Sequence, residues 1–456
     1  MAIQSKNPST EEVLKTFTEL TDEEVKDKIN IGAQAFLSWK ETSFEYRKEL
    51  MHKHAEYLRV NKERLAEYAS IEMGKTKVAA IVEVEKCATV CDYYADNAEE
   101  FLAQEVIESA AKENYISFEP LGIVLAVMPW NFPYWQAYRF LAPALMAGNV
   151  CLLKHASNVP QCAESIEDAL LESGYPEGTF QNLFISSSKV ESIIRDERVM
   201  AVTLTGSEVA GRSVASIAGD EVKKTVLELG GSDPFIVLAD ADVEGAAKDA
   251  AIGRMQNNVG QSCIAAKRFI VHSSIVEEFT KLFVEHFGKL VVGDPLNEQT
   301  KVGPLATKQG LLEVERQVNE SVEKGAQILC GGKRVGNVGY FYAPTILGNV
   351  QKGMPVYDEE VFGPVAPIIT FTDEDEAIRI ANDTPFGLGA TIFTKDIEKA
   401  KKLATKIEAG NVFINGFVRS DPRAPFGGIK RSGYGRELSS YGIKEFVNIK
   451  NVWIQE

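Results

Sequence analysis

LGIVLAVMPW (121–130), NVCLLK (149–154), FQNLFI (180–185), MAVTLTG (200–206), KKTVLEL (223–229) and PFIVLAD (234–240) are six short apolar, β-branched runs separated by stretches of helical periodicity. Runs of this length suit buried strands, and the stretches between them are long enough for crossover helices. The alternation predicts βαβ units, hence an α/β fold with a largely parallel sheet covered by helices. In such a sheet, nucleotide phosphates bind at the carboxyl ends of the strands.

On the amino-terminal side, residues 21–107 carry apolar positions every three or four residues among many Glu and Lys, as in TDEEVKDKINIGAQAFLSWK (21–40). They predict several amphipathic helices with no visible chemistry. On the other side a helical stretch after Asp240 leads into NNVGQSCIAAKRF (257–269), and a second series of strands and helices runs to about residue 432. The tail, EFVNIKNVWIQE (445–456), alternates like a strand. Its pattern suits an edge strand of its own domain or a strand added to another subunit's sheet.

With 456 residues, the chain exceeds the roughly 250–300 at which single cores stop growing, which predicts two large domains. A content of 45% hydrophobic and 25% charged residues is that of an ordinary globular protein. The net charge of −16, from 65 acidic and 49 basic side chains, repels phosphate backbones and anionic lipid, so neither nucleic acid nor a membrane is expected as a partner. A pocket can still be locally positive. The start, MAIQSKNPSTEEVLK, has no basic-then-apolar leader, and no segment approaches the roughly 18 apolar residues of a span, which predicts a cytoplasmic protein. Six cysteines without CxxC or zinc-ligand spacing indicate neither a disulfide framework nor a metal site. Cys87 and Cys91, four apart on a helical stretch, read as small buried hydrophobes.

Four segments carry candidate chemistry. Cys263 follows the glycine-containing loop NNVGQS, and a thiol becomes a nucleophile only as thiolate, which a seat of backbone N–H groups favours, although a lone loop cysteine is more often structural. Glu228 ends an apolar strand, where desolvation raises a carboxyl toward the range of a general base, unless the side chain simply faces solvent at the strand end. Asn131 stands on a corner stiffened by Pro129 and Pro133, where a neutral amide can donate to a developing oxyanion or simply cap the helix that follows. Lys154, and the backbone of Gly206 and Ser207 at a helix start, suit a ribose or phosphate, although any strand-end lysine and helix cap look alike. The chain has no GxGxxG fingerprint.

In this order, PWNFP (129–133), Lys154 in its strand-end turn, TGS (205–207), ELGG (228–231), GQSC (260–263), EEVFGPV (359–365) and APFGGIKRSGYGRE (424–437) resemble the aldehyde dehydrogenase superfamily over essentially the whole chain. The resemblance implies an atypical Rossmann domain for the dinucleotide (1–102 and 121–231), an α/β catalytic domain (232–432) and a small β element for oligomerisation (103–120 and 433–456). It implies a homodimer or homotetramer. Cys263 resembles the nucleophile, Asn131 and the Cys263 N–H the oxyanion donors, and Glu228 the base that hydrolyses the thioester, giving an acid product. Trp130, Lys154, Ser157, Gly206, Ser207, Leu229, Glu360 and Phe362 fall at cofactor-binding positions. Among these, Lys154 resembles the adenosine-ribose contact, Ser207 the pyrophosphate contact, and Glu360 and Phe362 the contacts to the nicotinamide ribose and ring.

Cofactor choice turns on Ser157, where relatives that prefer NAD often carry Glu; the expectation is NADP, with or without NAD. His155 either touches the 2′-phosphate or packs. Arg139 lies eight residues past Asn131, about 12 Å along a helix, and either holds a distal carboxylate or is solvated. Its spacing, and the Lys-His pair after Leu-Leu, resemble bacterial succinate-semialdehyde dehydrogenases, in which Ser420 would match a second carboxylate contact. Asn257 replaces an arginine used by some of those enzymes, and Ala265 replaces a cysteine able to form a regulatory disulfide. Glutarate semialdehyde and glyceraldehyde 3-phosphate are rival substrates; a cofactor-free thiol esterase or a non-catalytic protein on this fold are rivals of another class.

Overall fold

The computed structural model describes residues 3–255 and 258–455. A six-stranded sheet follows the order Gly433–Tyr434, Lys224–Glu228, Val199–Thr205, Ile123–Met128, Val150–His155, Phe180–Asn182. All neighbours in it are parallel except Gly433–Tyr434, which pairs antiparallel through Gly433 with Glu228 and Tyr434 with Leu227. All six residues of Val150–His155 are buried, as an unbroken apolar run in a doubly covered sheet demands. FQNLFI is a strand only over Phe180–Asn182, at the sheet's edge.

PFIVLAD contributes Pro234–Val237 to a different sheet of seven strands, ordered Gln327–Cys330, Thr345–Gly348, Val365–Phe371, Arg268–His272, Pro234–Val237, Gly389–Phe393, Asn411–Ile414. That sheet is parallel apart from Gln327–Cys330. Each sheet has its own apolar core, one built mostly from residues before 230, the other from residues 235–407. This is an α/β fold of two largely parallel sheets.

The amphipathic region resolves into helices Asp22–Trp39, Phe44–Met73 and Lys77–Phe101. The first starts on a capping box, Thr21 accepting from Glu24 N while the Glu24 carboxylate accepts from Thr21 N at 2.7 Å. The tail strand, Val447–Ile454, pairs antiparallel with Glu113–Pro120 of its own chain, from Val447 opposite Pro120 to Ile454 opposite Glu113. With Glu105–Val106 these form a three-stranded sheet whose Val106, Ile449 and Trp453 are exposed by 82%, 58% and 50%. Residues 433–456 thus serve two sheets. Among the described residues no helix is long and apolar enough to cross a membrane.

Candidate active site

The strand Ile123–Met128 runs into the corner Pro129–Pro133, and the helix Trp135–Met146 leaves it. That helix has no capping side chain of its own. Instead Glu83, from the helix Lys77–Phe101, accepts from the backbone N–H of Tyr134 and Trp135, each at 2.9 Å. The buried Lys75 pairs with Glu83 and lies 3.7 Å from the centre of the Phe132 ring. His155 secures the other side: Nδ1 accepts from Ala156 N at 2.8 Å, leaving the proton on Nε2 to donate to Pro133 O at 2.8 Å. Burial pulls its imidazole down to about 4, so it is neutral and packs.

The loop before Cys263 turns through Val259 and Gly260, both in the left-handed region (φ 56° and 73°). A Cβ on Gly260 would lie 2.2 Å from Gly363 O, so the loop presses directly on EEVFGPV. Arg254, wholly buried, ties the same pieces together by donating to Gly260 O, Val361 O and Ala266 O at 3.3, 2.8 and 3.0 Å. Lys267 donates to Ser262 O at 2.8 Å and Cys263 O at 2.6 Å, and pairs with Glu360 at 3.2 Å. Asn131 Nδ2 donates to Gln261 O at 3.1 Å, while Asn258 Nδ2 donates to Asn131 O at 2.6 Å and Gln261 O at 2.9 Å. The corner and the nucleophile loop therefore form one hydrogen-bonded unit. An amide has two N–H donors; this geometry commits one of Asn131's.

Two cavities meet at Cys263. The smaller, 230 Å³, is lined by Trp130, Asn131, Gly206, Ser207, Leu229, Glu360, Phe362 and Cys263, with Pro129, Gln136, Thr205 and Gly230. Trp130 stands edge-on to Phe362 with ring centres 5.9 Å apart. Ser207 caps the helix Glu208–Asp220 by accepting from Ala210 N, and with Gly206 it places the start of that helix on the wall of this cavity. The larger cavity, 360 Å³, is lined by Cys263, Arg139, Ser420, Lys86, Trp135, Gln136, Phe417, Arg419 and Phe426 among others.

A model of the aldehyde dehydrogenase family matches residues 1–452. The chain belongs to the aldehyde dehydrogenase family. It is 53% identical over 457 residues to succinate-semialdehyde dehydrogenase (NADP+) 1 of Mycobacterium tuberculosis H37Rv, covering all of both chains. It is 52% identical over 454 residues to a probable succinate-semialdehyde dehydrogenase (NADP+) of Synechocystis, again over all of both. The crystal structure of the Streptococcus pyogenes succinic semialdehyde dehydrogenase with NADP+ is similar at a TM-score of 0.97 and 42% identity, over 99% of this chain and 100% of that one.

In this aldehyde dehydrogenase the predicted residues are not all equally near the sulfur. Glu228, the last residue of its strand, is buried and lines neither cavity. Its carboxyl abuts Gly427, where a Cβ would come within 2.8 Å of Oε1. Burial, then the nearby Glu437, push its pKa well above the usual carboxylate range. Burial likewise pushes the Cys263 thiol up to about 12, opposed by the charges of Arg139 and Lys267. Lys154 and Ser157 lie outside both cavities, at the carboxyl end of Val150–His155. Lys154 is 9% exposed and its ammonium has no carboxylate within 4.0 Å among the described residues. Arg139 does reach the larger cavity, but its guanidinium arrives paired with Glu437, stacked 4.8 Å from the Phe426 ring centre and donating to Thr205 Oγ1 at 3.3 Å. Ser420 is buried at the same cavity and accepts from Lys86 Nζ at 2.7 Å. Asn257 lies outside the described residues.

Sequence reasoning missed Lys86, Asn258, Arg254 and Lys267. For Lys267 the signal was proximity, four residues after Cys263. For Lys86 it was position: Glu83, Cys87, Val90 and Tyr94 mark the buried face of its helix, and Lys86 borders that face.

Proposed function

We propose that this enzyme oxidises succinate semialdehyde to succinate with NADP as hydride acceptor. The observation that carries the reading is a thiol-bearing cavity whose wall carries Lys86, Arg139, Arg419 and Ser420, a cationic lining suited to an aldehyde with a carboxylate at its far end. The relatives named for succinate semialdehyde and NADP+ support it.

The residues fit the dinucleotide. Lys154, without an acidic partner, and Ser157, without a negative charge, suit a 2′-phosphate at the end of the strand, and the helix start at Ser207 suits the pyrophosphate. When bound, NADP+ takes up the hydride that leaves the substrate carbon. Cys263, once its thiol proton has passed to water in the cavity, attacks the aldehyde carbon as thiolate, and the oxyanion of the thiohemiacetal accepts from the free N–H of Asn131 and from Cys263 N–H. Loss of hydride leaves a thioester on Cys263. Glu228 then takes a proton from the water that cleaves it, after its side chain swings from Gly427 toward the sulfur; a raised pKa equips it for that transfer near neutral pH.

Residues 1–102 with 121–231 serve as the dinucleotide domain, 232–432 as the catalytic domain, and 103–120 with 433–456 as the oligomerisation element. The exposed apolar residues of the three-stranded sheet support a homodimer or homotetramer built on that element. The compartment is the cytoplasm.

The test is a steady-state panel with NADP: succinate semialdehyde, glutarate semialdehyde, glyceraldehyde 3-phosphate and butanal, followed at the reduced-nicotinamide absorbance band. Succinate semialdehyde is expected to show the highest kcat/KM. An equal or higher value for butanal would remove the carboxylate from the account.

A further inference from the structure

Arg139 is the cation that sequence spacing offers for a distal carboxylate, and part of its donor set is already engaged, by Glu437 and by Thr205 Oγ1. A guanidinium so engaged keeps its charge but has fewer N–H groups left for a second carboxylate. Arg419 lines the same cavity but is exposed, where water screens it. Lys86 differs from both. Its Nζ donates to Ser420 Oγ at 2.7 Å, lies 4.0 Å from the centre of the Trp135 ring, and has no carboxylate within 4.0 Å among the described residues.

We propose that Lys86 is a further specificity-determining residue for the carboxylate end of the aldehyde, acting beside Arg139 and Ser420, an inference that rests on the substrate reading above. An ammonium has three donors; Ser420 takes one and Trp135 faces the charge, leaving donors for an incoming anion. The Ser420 hydroxyl, while accepting from Lys86, keeps its own proton to donate to the same carboxylate. One side chain thus bridges the helix Lys77–Phe101 to the loop at 420 and presents a compact anion site across the cavity that holds Cys263.

The neighbours fit this role. Burial, then the charge of Arg139, pull Lys86 down to about 8, while Cys87, Glu83 and Asp421 act in the opposite sense. Glu83 is occupied by Lys75, and Asp421 by Arg423. Lys86 is therefore a cation held close to losing its proton, which a bound carboxylate would stabilise. Below about pH 8 it is charged and grips; above, the grip fades.

The experiment uses the full chain as wild type, Lys86→Gln and Lys86→Arg, each assayed with NADP on succinate semialdehyde and on butanal, a neutral aldehyde of the same carbon number. The quantity read is the ratio of the two kcat/KM values. Lys86→Gln is expected to lower that ratio about 30-fold, the range of one charge-assisted hydrogen bond, through KM for succinate semialdehyde. Lys86→Arg is expected to recover most of it. In wild type the ratio should fall as pH rises past about 8, and in Lys86→Gln it should stay flat. A ratio unchanged by Lys86→Gln would overturn the assignment, whether both activities persist or both fall together. If wild type itself shows no preference for succinate semialdehyde, the substrate reading fails and the role of Lys86 with it; if the preference is present in wild type and survives in Lys86→Gln, the role of Lys86 alone fails.

Discussion

Ser157 follows Lys154 by three positions at the end of its strand, and in the proposed reading the pair sets the charge that a ribose 2′-substituent meets. A lysine without an acidic neighbour, beside a neutral hydroxyl, favours a phosphate there. Ser157→Glu would place a negative charge beside it, and at a partly exposed site two like charges cost enough to change affinity at least about tenfold. The expected result is a fall of that size in the NADP-to-NAD ratio of kcat/KM values; a constant ratio would refute the placement of the 2′-phosphate. The proposal for this pair comes from the sequence, because the motif around Lys154 suggests the position and its charge can be read directly; the structure adds that Lys154 is buried and has no carboxylate within 4.0 Å among the described residues. Arg139 shows the limit of such reading. Its spacing from Asn131 brought it to the right cavity, but its partner Glu437 comes from the far end of the chain, and nothing local announces that pair.

At the scale of elements, two turns make the site: the corner Pro129–Pro133 and the loop Val259–Ser262. Both lean on side chains from outside the turn. The corner hangs on Glu83 and His155, and the loop on Arg254, Lys267 and Asn258. Gly260 is the tightest point, with a positive φ and Gly363 O where a side chain would begin. Gly260→Ala is therefore expected to displace the loop from EEVFGPV and to cut kcat by about a hundredfold or more, because misplacing a reacting group by an ångström costs that much. The same variant should unfold at lower temperature by calorimetry; full activity would show that the loop does not depend on this contact. Strands such as Ile123–Met128 and Val150–His155 were legible because burial in a covered sheet favours short runs that are mostly apolar, IVLAVM and VCLL here. FQNLFI was overread, since an edge position needs only three paired residues. The distant supports of the two turns, Glu83 under the corner and the contact of Arg254 with Val361, were not legible, because such residues could equally sit on a solvated helix face; Lys267 and Asn258 lie beside the loop in sequence.

Over the whole molecule, the reaction needs two sheets with separate cores to present their parts at one point. The six-stranded sheet brings the corner with Asn131 and the helix start at Ser207, with Glu228 buried at a strand end outside the cavities; the polypeptide leading into the seven-stranded sheet brings Cys263, and its loops bring Glu360 and Phe362. Division into two α/β units was foreseeable from length and from the two series of strands, but the tail's partner was not, because an alternating strand does not encode whom it pairs with. The two halves do joint work only if the sulfur holds the substrate between hydride loss and hydrolysis. Glu228→Gln should separate these steps, since it keeps the shape of the side chain and removes the base. Mixed with NADP and succinate semialdehyde, quenched and digested, that variant is expected to release about one equivalent of reduced cofactor per subunit. Mass spectrometry should then find a succinyl thioester on the peptide that contains Cys263. Reduced cofactor formed at the wild-type steady rate with no adduct on that peptide, or an adduct on another cysteine, would contradict the account.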